Sequence, residues 1–336
     1  MENKTDLQNS YVQNVIARNE RRVEIDYFRG FTIILMVFVN FIASGRSTPI
    51  WLKHAEDIGL TITDLIAPAF IFAIGLTYRS SFDRRLKEKG INYTYNHFIS
   101  RFLAIIGIGS FFTAGAAIMA QNESQGCWGV LQAIGAAGLI TLIFIKMNKF
   151  FRLFIGISLL VFYQIIMDKF FLKIILESAH GGLIASISWA SLLIISTFFA
   201  ELFYYDKIKK FYYLIVCILF LIFGIGISRY FPISKHRVSI SYILISLAIS
   251  GICLFIFFLI TKIKFLKLNF LIWWGHNPLF LYLMHMILLG VTFIPQNQRI
   301  FLTAPFEVIL LEFSFFFLIL SISAYLLFRK KIYIKI

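Results

Sequence analysis

The chain has 336 residues, of which 59% are hydrophobic, 18% aromatic and 15% charged, and its mean hydropathy is +0.82. This is too apolar for a single aqueous fold and excludes both a soluble enzyme and a disordered chain. The net charge of +15 would suggest nucleic acid in a soluble protein. Here the Lys and Arg fall in short segments between apolar runs, which points to membrane topology and to no nucleic-acid partner. Cys127, Cys217 and Cys253 are too scattered for a disulfide framework or a thiolate site, and no metal is expected.

Apolar stretches of about 20 residues, enough for a helix to cross the hydrocarbon layer, mark an all-α integral membrane protein. They lie near 25–45, 61–78, 98–120, 127–145, 150–167, 183–204, 211–228, 240–261, 268–293 and 304–328, about ten crossings. Residues 1–23 read as a polar cytoplasmic tail with no hydrophobic stretch of the secretory kind, ahead of a multi-pass domain over 24–336. Of the 32 Lys and Arg, 24 fall in the tail, the even-numbered loops and the C-terminus, which puts both termini in the cytoplasm. Arg329, Lys330, Lys331 and Lys335 then read as topology anchors.

Ionisable and amide side chains inside such spans need a cavity or a partner. In the first crossing Arg29 and Asn40 are separated by about 20° around the helix, and Asp26 lies about 40° from Asn40. This polar face, about 21 Å long, reads as the lining of a cavity. The alternative is a snorkelling Asp26–Arg29 pair with Asn40 bonded to a neighbouring helix.

In the first outer loop His54 precedes Asp64 by ten residues. A carboxylate partner would hold the imidazole in one tautomer as a general base. Alternatively, Asp64 complements the start of a helix that Thr61 or Thr63 caps, and His54 is an exposed loop residue. Along the ninth crossing, Trp273-Trp274-Gly275-His276-Asn277-Pro278 places a helix-start signal inside an apolar run, so the helix is expected to break near Asn277. A half-helix starting there would offer free N–H groups to an oxyanion; the alternative is a simple kink. His285 follows eight residues on. Glu312 is a candidate partner for a His or Arg, whereas His97, His180 and His236 are placed in loops and carry little signal.

The stretch from Ile25-Asp26-Tyr27-Phe28-Arg29-Gly30 to Val39-Asn40, followed by Lys53-His54-Ala55 and Gly59-Leu60-Thr61-Ile62-Thr63-Asp64-Leu65, closely resembles the opening of the heparan-α-glucosaminide N-acetyltransferase family. Gly129-Val130-Leu131-Gln132-Ala133-Ile134-Gly135 resembles its fourth-crossing signature. Lys235-His236-Arg237-Val238-Ser239 resembles the segment opening a later crossing, and Asn277, Tyr282 and His285 match the spacing near its C-terminus. The chain departs from the family at Trp128 and Ala133, where a basic residue is usual, and at Val238, where an aromatic is usual.

The resemblance implies a membrane-bound acyltransferase in which cytoplasmic acetyl-CoA delivers its acyl group to a sugar or glycan on the other side. His54 would be catalytic, with Asn40 and Asp64 beside it. Asp26, Arg29, Arg101, Gln132, Lys235, Ser239, Asn277 and His285 are the candidate substrate or CoA contacts, with Arg29 and Arg101 suited to the CoA phosphates because guanidinium matches phosphate geometry. Expected partners are acyl-CoA, the acceptor, the lipid bilayer and a second copy as a homodimer. The Phe-, Ile- and Lys-heavy usage points to a bacterial plasma membrane. A transporter or flippase for an envelope glycan is the alternative.

Overall fold

The structure is a computed structural model and describes residues 22–43, 45–120, 128–204, 210–263, 265–292 and 303–334. Most of the polar tail, Cys127 and the anchor Lys335 lie outside the described residues. Among the described residues are twelve α-helices and no strand. In chain order these are α1 (Val23–Ile42), α2 (Ile66–Lys89), α3 (Ile91–Ala120), α4 (Val130–Phe144), α5 (Lys149–Ile166), α6 (Leu172–Glu177) and α7 (Gly182–Tyr204). They continue as α8 (Lys210–Ile227), α9 (Ile240–Lys262), α10 (Asn269–His276), α11 (Pro278–Thr292) and α12 (Phe306–Arg329).

Eight helical stretches are long and apolar enough to cross a membrane. The other two expected crossings fall on shorter apolar helices, α4 and the α10/α11 pair. The break is where the Asn-Pro signal puts it, since Asn277 leaves helical geometry (φ −127°, ψ 58°) and Pro278 starts α11. The expected fifth crossing ends at residue 167, yet the helix runs through a π-helical turn, Met167–Phe171, into α6. Its charges do not stop it, because Asp168 accepts a hydrogen bond from Gln164 Nε2 one turn back (2.9 Å). His97 is likewise helical, on α3, and not in a loop.

Small residues set the closest packing. A Cβ on Gly30 would fall 2.0 Å from the Leu271 carbonyl oxygen, and one on Gly275 would fall 2.2 Å from that of Asp26, so α1 and α10 touch backbone to backbone. Several hydroxyls inside the spans bond back to their own helix, as Thr32 does to the Phe28 carbonyl and Ser196 to that of Leu192. At one end of the bundle the loop before α2 is tied to the loop before α9 by Gly59 N–H donating to the Ile233 carbonyl (2.8 Å). At the opposite end buried Arg152 pairs with Glu201 (2.5 Å).

Candidate active site

The two loops that Gly59 joins carry His54, Asp64 and Lys235. Thr63–Leu65 forms a single 3-10 turn ahead of α2, and Asp64 in it has no exposed surface. Its Oδ1 accepts from His54 Nδ1 at 2.7 Å. Its Oδ2 accepts from Thr61 N–H and Thr61 Oγ1, both at 3.0 Å, and from Ala55 N–H at 3.3 Å. One carboxylate oxygen closes the turn and the other faces the imidazole; neither expected cap forms, since the Thr61 hydroxyl donates to Asp64 itself and that of Thr63 to the Leu52 carbonyl. Donation from Nδ1 fixes the tautomer and leaves Nε2 as the free base position. Tyr242 holds the turn from below, its hydroxyl donating to the Asp64 carbonyl at 2.7 Å.

Lys235 comes from the other loop. The Ser234–Ser239 turn is pinned by Ser234 Oγ donating to Asp57 (2.9 Å), and the Arg237 guanidinium grips both oxygens of the same carboxylate. Ser239 accepts from the backbone N–H groups of Ser234 and Tyr242, so it caps α9. The Arg237 guanidinium holds the Asp57 carboxyl below its ordinary range, and the same contact raises Arg237. So anchored, Lys235 is buried, with Nζ 3.0 Å from both ring nitrogens of His54. An in-plane position equidistant from both would collide with the carbon between them, so the ammonium rests on the ring face. Burial pushes the Lys235 amine down to about 8, against the opposing pull of Asp64.

His54 opens onto a cavity of about 490 Å³, within the size of small-molecule sites. Asn40, Gln132, His180, Lys235 and Tyr282 also line it. Asn40 Nδ2 donates to His285 Nε2 at 3.0 Å, and fully buried His285 thus sets the amide from behind. Gln132 bridges Gly129 N–H and Thr113 Oγ1, both at 3.0 Å, which commits much of its polar capacity to the α3–α4 contact.

Other expected site residues lie apart. The cavity meets α1 only from Met36 outward, so Asp26 and Arg29 are not in its wall and the polar face does not line one continuous described cavity. Arg29 Nη2 donates to Thr77 Oγ1 (2.6 Å), and Arg101 on α3 feels the charges of Arg29 and Arg85. The Nε atoms of Arg85 and Arg101 are buried with no hydrogen-bond partner among the described residues. Asn277 does not face the cavity either: its amide donates to the Ile332 carbonyl and accepts from Ile334 N–H, both at 2.9 Å. The residues beyond α12 hold the Asn277 side chain, and of α11 only Tyr282, Met286 and Leu289 line the cavity, so the start of the half-helix expected to offer N–H groups to an oxyanion lies outside its wall. Glu312 is exposed, with no partner among the described residues. His180, placed by sequence in an uninformative loop, is instead a cavity residue.

A family model described as heparan-alpha-glucosaminide N-acetyltransferase, catalytic, matches residues 21–212. The chain belongs to this family. Over 51 residues it is 47% identical to the human heparan-alpha-glucosaminide N-acetyltransferase and 43% identical to that of Mus musculus. Each match covers 15% of this chain and 7% of the relative. The family match takes in Asn40, His54, Asp64, Gln132 and His180, and stops short of Lys235 and His285. The apolar helices of the fold suit a multi-pass membrane protein.

Proposed function

We propose that this protein is a transmembrane acyltransferase that takes an acetyl group from cytoplasmic acetyl-CoA and passes it to an amine or hydroxyl of a sugar or glycan on the other side. The observation that carries this reading is the His54–Asp64 pair, with His54 on the wall of the cavity that Asn40, Lys235 and Tyr282 also line. An imidazole paired with a carboxylate at one nitrogen is the arrangement a general base in acyl transfer uses.

In the mechanism, the acceptor nitrogen or oxygen attacks the thioester carbonyl while His54 Nε2 takes its proton. Asp64 keeps the ring oriented and balances the imidazolium. The carbonyl oxygen becomes an oxyanion facing the Lys235 ammonium and the Asn40 amide. Collapse breaks the C–S bond, and the departing thiolate takes the proton from the imidazolium to leave as CoA. An acyl-His54 intermediate is the competing route. Arg29 and Arg101, joined by Arg85, would hold the CoA phosphates, the Nε atoms of Arg85 and Arg101 being buried, without a partner among the described residues and suited to an anion. Eleven residues of helix, about 16 Å, separate Arg29 from Asn40, a gap for an extended pantetheine arm.

The same reading has ten crossings, counting α4 and the α10/α11 pair, with both termini cytoplasmic, in a bacterial plasma membrane with an envelope glycan as acceptor. Residues 1–23 form the cytoplasmic tail and 24–336 the transferase domain, acting as a homodimer. The test is transfer of label from acetyl-CoA to amino sugars by purified protein. His54→Ala is expected to abolish transfer; full transfer in that variant overturns the assignment.

A further inference from the structure

One cavity-lining imidazole has no part in this mechanism. His180 has φ 53° and ψ 27°, in the left-handed region, and Gly181 and Gly182 follow at φ 75° and 66°. Glycine takes that conformation freely, but for His it costs about 1 kcal/mol or more. Such strain persists only where the surroundings impose it. Here Trp189 Nε1 donates to the His180 carbonyl at 3.2 Å, and a Cβ on Gly181 would fall 2.4 Å from that of Ala185, so the turn is seated directly on α7.

The ring gains nothing obvious from being held there. Neither nitrogen has a hydrogen-bond partner among the described residues, and Nδ1 is fully buried. A histidine kept for packing normally spends its nitrogens on neighbours. The ionisable groups whose charges reach it are Lys235, His54 and His236. With cationic or basic groups on that side, a second ammonium is a poor ligand. A hydroxyl fits: it donates and accepts, so it satisfies the imidazole in either tautomer.

We infer that His180 is a specificity-determining residue that hydrogen-bonds a hydroxyl adjacent to the acceptor group being acylated, so that the site selects amino alcohols and polyols over simple amines. This rests on the acyl-transfer reading, and the test separates the two. Trans-2-aminocyclohexanol and cyclohexylamine share a ring and an amine and differ by that one hydroxyl.

Initial rates with acetyl-CoA are compared for the wild type, His180→Gly and His180→Asn. Glycine removes the ring while accepting the left-handed backbone, and Asn tolerates it and restores a polar group. The expected result is a wild-type kcat/KM ratio favouring the amino alcohol that falls at least tenfold in His180→Gly, through KM for that acceptor, and recovers in part in His180→Asn. KM for acetyl-CoA moves less than twofold. An unchanged ratio, or an equal loss with both acceptors, overturns the inference. Thermal protection without donor gives an independent reading: the amino alcohol should stabilise the wild type more than cyclohexylamine does, and His180→Gly should lose that difference. If protection discriminates but no label is transferred, the acyl-transfer reading fails and His180 recognition stands; if protection does not discriminate, the His180 inference fails.

Discussion

Lys235 Nζ stands 3.0 Å from both ring nitrogens of His54, a residue 181 positions earlier in the chain, while Asp64 takes the edge of the same ring at Nδ1. A cation on the face and a carboxylate at the edge leave Nε2 as the open position. In the proposed mechanism that arrangement makes the charge of Lys235 part of the chemistry.

With its amine near 8, Lys235 loses its proton within the working range. If the ammonium stabilises the oxyanion, the transfer rate should fall as pH rises through about 8, and Lys235→Arg, charged throughout, should flatten that limb. A rate that rises through the same interval would assign the neutral amine instead.

The same group has a stability signature. Its amine in the native protein lies below the ordinary 10.5, so between about 8 and 10.5 the unfolded chain holds more protons and stability increases with pH. Keeping the ammonium buried at neutral pH costs up to about 3 kcal/mol. Lys235→Met should therefore melt higher than the wild type at pH 7, with the gap closing toward pH 10, while transfer is lost.

Asp64 accepts four hydrogen bonds with no exposed surface. In Asp64→Asn the amide oxygen can still serve Thr61, but its NH2 then faces the His54 N–H and drives the ring to the other tautomer. Transfer should drop roughly 10²- to 10⁴-fold with folding retained. Asp64→Ala, which leaves several part-buried donors without their acceptor at up to about 1–3 kcal/mol each, should fold with a markedly lowered melting temperature.

Much of this was legible because polar groups stand out against hydrocarbon. Asn40, Asp64 and His285 each interrupt an apolar run, and the Asn277-Pro278 signal marks the break that α10 and α11 display. Partners were harder to read. Nothing local announces that Lys235 reaches His54, since loop pairing through Asp57 and Arg237 sets it, or that Ile332 and Ile334 occupy Asn277. His180 was missed because its placement depends on backbone sign: the Gly181-Gly182 pair was the available signal, and it reads equally well as an ordinary turn.

Helix contacts can be tested with two glycines. Gly275→Ala places a methyl against the Asp26 carbonyl, and the overpacking should cost about 1–3 kcal/mol and lower the melting temperature. Gly107, on α3, has nothing within 4 Å of its Cβ position, so Gly107→Ala should be neutral or mildly stabilising.

The most direct test of the central claim is sided transfer in inside-out membrane vesicles, with labelled acetyl-CoA in the bulk and an amino sugar trapped in the lumen. Labelled product inside vesicles carrying the wild type, and none with His54→Ala, is the expected result. Product formed only when donor and acceptor share one side, or equal product from the His54 variant, would contradict a transmembrane transferase built on His54 and Asp64.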